Sequence, residues 1–158
     1  PLNKFSGLKY RKQIIHNKRN LIIINDSKST SFSSTVGLLS TYKNIYWIVG
    51  GTHKKGDKFI LEKKYFKNIS AYIIGLNKNF FIKQFKNKLF YKCFNNLESA
   101  VKQILIDIKK NYINLHKTVL FSPSAASFDS FKNFEERGDY FNFLLKKYRV
   151  KQNINAFK

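Results

Sequence analysis

Leu21-Ile22-Ile23-Ile24-Asn25-Asp26-Ser27-Lys28-Ser29-Thr30 sets the reading of the chain: four apolar residues in a row, then six polar ones. A short continuous apolar run fits a strand buried on both faces, and the abrupt change of character marks where strand gives way to loop. The same unit recurs. Apolar runs at 45–49, 71–74, 89–91 and 118–121 alternate with segments of helical spacing.

That alternation predicts an α/β fold: a small doubly wound, mostly parallel, Rossmann-like sheet of five strands with helices on both faces. The clearest helix carries Leu97, Val101, Ile104, Leu105 and Ile108 along one stripe, with Asn96 placed to cap it. Further helices are expected at 34–42, 60–66, 79–85 and 135–148, the last with Phe141, Leu144, Leu145 and Tyr148 on one side. Ahead of the first strand, 10–15 and 20–25 flank His16-Asn17-Lys18-Arg19 and read as a hairpin turning at that polar stretch. Residues 149–158 read as a frayed tail.

A chain of 158 residues with 43% hydrophobic residues suits one domain with a substantial core. No apolar run approaches the ~20 residues that span a bilayer, and the basic N-terminus lacks the apolar core of a signal peptide, so a cytoplasmic protein with no membrane partner is expected. Cys93 is the single cysteine, which excludes an internal disulfide and a multi-cysteine metal site. His16, His53 and His116 fall in separate lysine-rich segments, and no metal is assigned to the chain. The net charge of +21 taken alone suggests a nucleic-acid or anionic partner. The lysines are scattered, however, and accompany excess Asn, Ile, Phe and Tyr, as A/T-rich coding would produce, so a solvated basic surface is the preferred reading.

Ligands of open α/β sheets bind beyond the carboxyl ends of the strands. Three polar clusters fall on that edge: 26–30, 50–57 (Gly50-Gly51-Thr52-His53-Lys54-Lys55-Gly56-Asp57) and 122–129 (Ser122-Pro123-Ser124-Ala125-Ala126-Ser127-Phe128-Asp129). Lysine ammonium groups, small hydroxyls and glycines that let backbone N–H groups approach a ligand suit a small dicarboxylate. Each loop singly reads as ordinary turns and caps; three on one edge favour a site. Asp26 has two readings, acceptor for ribose hydroxyls or cap of the following helix. No Gly-x-x-x-x-Gly-Lys-Ser/Thr or Gly-x-Gly-x-x-Gly is present, so the chain does not hold ATP phosphates in the usual way. No Ser-His-Asp or Cys-His arrangement has a strong local signature, and catalysis by this chain alone is not expected.

Several motifs, in order and spacing, resemble the D-glutamate-adding branch of the Mur ligase family. Gly7-Leu8-Lys9-Tyr10-Arg11 is similar to that family's Gly-Leu-x-His-Arg, Asn25-Asp26-Ser27-Lys28-Ser29-Thr30 to Asn-Asp-Ser-Lys-Ala-Thr, and Gly50-Gly51 with Lys54 to Gly-Gly-x-x-Lys. The run from Ser122-Pro123 through Ser127, Asp129, Phe131, Phe134 and Arg137-Gly138 is similar to Ser-Pro-Ala-x-Ala-Ser-x-Asp-x-Phe-x-x-Phe-x-x-Arg-Gly. The resemblance implies a linker at 1–8, the amino-acid-binding C-terminal domain at 9–148 and a tail at 149–158.

It further implies one part of a monomeric ligase that takes UDP-N-acetylmuramoyl-L-alanine, D-glutamate and ATP with magnesium and works through an acyl phosphate. Sugar nucleotide, ATP phosphates and metal would be held by preceding domains. Thr30 and Lys54 would hold the α-carboxylate of D-glutamate. Ser127, Phe128 and the backbone near Phe134 would hold its side-chain carboxylate. Lys28, the one catalytic candidate, would supply a point charge beside the same ligand. Tyr10, Arg11 and Asp26 would face the adenine and ribose of ATP. Tyr10 stands where histidine is usual, Ser31 where asparagine is common, and Ala125 where cysteine is frequent. A chain with no methionine that opens at Pro1 fits a piece of a longer protein. The alternative is a stand-alone basic domain that binds nucleic acid or another anionic partner.

Overall fold

The computed structural model describes residues 8–111 and 115–155. The expected linker at 1–8, apart from Leu8, lies outside the described residues, and so does Gly7 of the first motif. Within them the strands are β1 (Gln13–Lys18), β2 (Leu21–Asn25), β3 (Ile45–Val49), β4 (Ile69–Ile73), β5 (Phe90–Cys93) and β6 (Lys117–Phe121). They form one sheet in the spatial order β1-β2-β6-β3-β4-β5. β1 is antiparallel to β2, and every other neighbouring pair is parallel.

β3, at the centre of the parallel part, is buried along its whole length, as a strand covered on both faces must be. Its alternate side chains feed two cores. Ile45, Trp47 and Val49 face α1 (Val36–Thr41) and α2 (Lys78–Phe85), where Phe32, Phe59 and Phe85 pack around the indole and Phe81 packs on Phe32 and Phe85. Tyr46 and Ile48 face the other layer, built by α3 (Leu97–Lys110), α4 (Phe134–Lys147) and α5 (Val150–Asn155). Each fully buried Leu, Ile or Phe in these layers contributes about 1.5–3 kcal/mol. The expected stripe of α3 is buried at every position, and Asn96 caps it by accepting from the Ser99 N–H at 2.9 Å. Among the described residues no helix is long and apolar enough to cross a membrane.

The expected doubly wound sheet is therefore present, with one strand more than the apolar runs suggest. The hairpin turns at Arg19-Asn20, both with positive φ, and not across the polar stretch. His16, Asn17 and Lys18 belong to β1, an edge strand with one side open to water that tolerates polar residues. The helix expected at 60–66 is replaced by a 3-10 segment, Lys63–Asn68, which has no fully buried residue although Tyr65 and Phe66 pack partly against the core. That expected at 34–42 is a 3-10 turn, Phe32–Ser34, followed by the short α1. The start of the expected tail forms α5, and Val150 is 2% exposed in the core.

The exit from β3 is sterically set. Gly50 has φ 136°, and a Cβ there would lie 2.1 Å from the backbone oxygen of Ile74. Gly50→Ala combines a left-handed backbone with an overlap onto main chain that cannot rotate away. It is expected to destabilise the fold by about 3 kcal/mol, read as a lower urea midpoint with unchanged slope.

Candidate functional site

β6 lies between β2 and β3, so the loops leaving their carboxyl ends are neighbours. The path after β2 enters α1 on one face, whereas that after β6 enters α4 on the other, the arrangement that forms the ligand crevice of open α/β sheets. The three polar clusters singled out in the sequence are these loops.

They are laced together. Arg137, on the first turns of α4, is 2% exposed and joins the β2 loop to the β6 loop. Its Nε donates to Ser27 Oγ at 3.2 Å, Nη2 to Ser27 O at 2.6 Å and Nη1 to Ala125 O at 3.0 Å. Ser27 Oγ in turn donates to Phe134 O at 2.7 Å. Burial lowers the Arg137 pKa to about 10, against the opposing pull of Asp129. The β3 and β6 loops are joined by Gly50 N–H to Pro123 O at 2.9 Å and by a two-way bridge between Thr52 and Ala126. The β2 and β3 loops meet where Asp57 Oδ2 accepts the Phe32 N–H at 2.9 Å. His53 stacks on Phe80 at 3.9 Å between centroids, and Phe80 stacks on Phe32. Gly50 thus spends its N–H on protein, and its smallness serves close backbone packing where the sequence suggested approach to a ligand.

Among the expected dicarboxylate-binding residues, Lys28, Thr30 and Lys54 are exposed on two of these joined loops. The Lys28 ammonium sits over the Phe134 ring, 5.3 Å from its centroid, while its N–H donates to Tyr10 O. Ser127 is buried at 3% exposure, Phe128 projects at 74%, and half-buried Phe134 opens α4 behind its cap, Asn133.

The nucleotide-facing trio divides. Arg11 is exposed. Tyr10 points inward at 2% exposure; its hydroxyl donates to Asp139 Oδ1, and its ring lies against Gly138, where a Cβ would come within 2.4 Å. The ring has no open face on which an adenine stacks. Asp26 is 3% exposed: Oδ1 accepts the Lys12 N–H at 2.8 Å and Oδ2 the Ser122 hydroxyl at 2.6 Å. It caps neither α1 nor the turn before it. Instead it pins the turn at Tyr10-Arg11-Lys12, whose outer residues have φ 64° and 48°, and that turn displays Arg11.

Arg137, Thr35 and Asp57 were not among the candidates. Arg137 carried a signal in the sequence, because it occupies the start of the stripe continued by Phe141, Leu144 and Leu145, a position apolar residues otherwise fill.

Burial raises the Asp26 pKa above the ordinary carboxylate range, outweighing the hydrogen bonds from Ser122 and Lys12 and the nearby Lys12 and Arg11 charges. Between the unfolded value, about 3.9, and the raised folded value the native state binds more protons. The contribution of this group to stability is full below that window and declines as pH rises through it. The Asp26 carboxyl 13C resonance is expected to titrate above about 3.9; a midpoint at or below that value contradicts the assignment.

No family model matches the chain. Curated relatives do. The chain is 38% identical over 148 residues to UDP-N-acetylmuramoylalanine--D-glutamate ligase of Wolbachia sp. subsp. Brugia malayi (strain TRS), covering 94% of this chain and 29% of that protein. The protein of the same name from Wolbachia pipientis wMel is 37% identical over 140 residues, 89% of this chain and 27% of its own length. That from Rhizobium meliloti (strain 1021) is 37% identical over 140 residues, 89% and 30% respectively. The fold and the match define a C-terminal domain of the Mur ligase type, and the chain belongs to that family. Its counterparts are the C-terminal domains of the ligases bearing that name, and it spans about three-tenths of their length.

Proposed function

We propose that the chain is the amino-acid-binding part of an ATP-dependent ligase that joins D-glutamate to UDP-N-acetylmuramoyl-L-alanine in peptidoglycan precursor synthesis. The observation that carries this reading is the exposure of Lys28, Thr30 and Lys54 on mutually bonded loops at the crevice, beside Ser127 and the start of α4. Two carboxylates of one small ligand suit that set: cations and hydroxyls on one side, a helix start on the other.

In the proposed complex the Lys54 ammonium and Thr30 hydroxyl take the α-carboxylate of D-glutamate. Ser127 and the backbone at Phe134 take the side-chain carboxylate, with the exposed Phe128 beside them at the rim. Lys28, held over the Phe134 ring, supplies a further positive charge. Transfer of the terminal phosphoryl group of ATP to the acceptor carboxylate gives an acyl phosphate and ADP. The free amine of D-glutamate attacks the acyl carbon, and the tetrahedral intermediate loses phosphate and a proton to leave the amide. The residues of this chain contribute positioning and charge stabilisation.

Arg11, on the turn pinned by Asp26, is the group that fits the nucleotide; Tyr10 and Asp26 serve it by holding the turn. Among the described residues no cluster of His, Cys, Asp or Glu is built for a metal ion. We assign magnesium, the triphosphate and the sugar nucleotide to other domains of the complete protein, which on this reading is a cytoplasmic monomer; the chain alone is then inactive.

Lys54→Ala in the complete protein is expected to raise the KM for D-glutamate tenfold or more, the equivalent of losing a charge-assisted hydrogen bond of about 1.5–3 kcal/mol. An unchanged KM in steady-state assays of ADP release removes Lys54 from the site.

A further inference from the structure

Thr35 stands at the N-cap position of α1, where a threonine hydroxyl ordinarily accepts an N–H from the first helical turn. Here it makes no such bond. The side chain is fully buried, and Oγ1 lies 2.7 Å from Ser29 Oγ, 2.7 Å from Ser122 Oγ and 2.6 Å from Ser124 Oγ. Ser29 belongs to the β2 loop next to Lys28 and Thr30. Ser122 and Ser124 begin the β6 loop that leads to Ser127.

The proton inventory gives these contacts a direction. An ionised Asp26 only accepts, so Ser122 donates to it at 2.6 Å. Ser122 then has only lone pairs to offer Thr35, and Thr35 donates to Ser122. With its one proton spent, Thr35 accepts from Ser29 and from Ser124. Ser34 donates to Ser31 O at 2.7 Å, so its 2.9 Å contact with Ser29 competes for the Ser29 proton, and the shorter 2.7 Å contact with Thr35 takes it. One hydroxyl therefore uses its single donor and both acceptor sites on two loops from different parts of the chain. Ser124 also has φ 55°, a left-handed conformation that a non-glycine residue keeps only when its surroundings hold it.

We propose that Thr35 is a positioning residue. Its hydroxyl fixes the β2 loop against the β6 loop and holds Ser124 in its left-handed turn, so that the two ends of the amino-acid site keep one spacing. The inference rests on the proposed function for its kinetic consequence and on geometry alone for the coupling of the loops. Valine at position 35 keeps the shape of the side chain and removes the proton and both lone pairs; serine keeps all three.

The test compares Thr35→Val, Thr35→Ser and the double change Thr35→Val with Ser124→Gly in the complete protein. Amide hydrogen exchange by mass spectrometry is followed over 26–30, 122–129 and, as a control, β4. Thr35→Val is expected to accelerate exchange at least tenfold in both loops together while β4 stays unchanged, and to raise the KM for D-glutamate about tenfold with the KM for ATP within twofold. Thr35→Ser is expected to stay within threefold of wild type. Glycine at 124 is expected to recover part of the loss in the double change, because glycine holds a left-handed turn without support. Exchange that stays slow in either loop overturns the coupling, as does the absence of any recovery at 124. An unchanged KM in a protein whose wild type turns over overturns the positioning role. If Thr35→Val does not fold, the Ser122→Ala and Ser124→Ala variants are read in the same way, and neither loop loosening the other overturns the proposal. A wild type without D-glutamate-dependent turnover defeats the functional reading alone, since the exchange result still decides the coupling.

Discussion

A guanidinium with almost no contact with water holds the crevice together. Burying a charge is costly unless its donors are met, and Arg137 meets two carbonyls and a hydroxyl on loops that leave different strands. The planar fork suits such a three-point span, which a lysine ammonium on a flexible stem does not reproduce. Because Ser27 and Ala125 are bound to one rigid group, the β2 and β6 loops share a common frame. The exposed Lys28 and Thr30 and the buried Ser127 inherit that frame. The hydroxyls around Thr35 repeat the constraint on the opposite face of the sheet, and the Asp57 and His53 contacts extend it to the β3 loop.

The same division of labour runs through the fold. Apolar side chains of the parallel strands fill both cores, so the polar residues that remain are driven to the strand ends. There they either satisfy one another, as Asp26 and Ser122 do, or stay exposed, as Lys28, Thr30, Lys54 and Arg11 do. An edge built this way has a bonded floor and exposed, solvated contact groups. Lysines at its rim gain from the floor because the backbone that carries them does not have to be ordered when a ligand arrives.

Much of this architecture could be read from the chain itself. The buried parallel strands announce themselves as apolar runs, and the stripe of α3 fixes both its face and its cap. Local pattern failed where packing decided. His16, Asn17 and Lys18 look like a loop, yet an open sheet edge accepts them; 60–66 looks helical, yet its Leu61, Tyr65 and Phe66 reach the core only in part and the backbone forms a 3-10 turn. That three polar loops share one edge of the sheet was legible, and the structure leaves Lys28, Thr30 and Lys54 exposed on them. The inward turn of Tyr10 and Asp26 was not legible, because their partners, Asp139 and Ser122, stand far away in sequence. Arg137 was in plain view in a stripe of apolar positions, but its role depends on where Ser27 and Ala125 end up in space.

The central claim is that these three loops recognise D-glutamate as the incoming amino acid. It is tested most directly by assaying the complete protein with ATP, magnesium and UDP-N-acetylmuramoyl-L-alanine against D-glutamate, L-glutamate and L-alanine, with amide product measured by mass. The account requires product with D-glutamate and none above background with the other two. Product with L-glutamate or L-alanine in preference, or no product with any of the three from a folded protein, contradicts it.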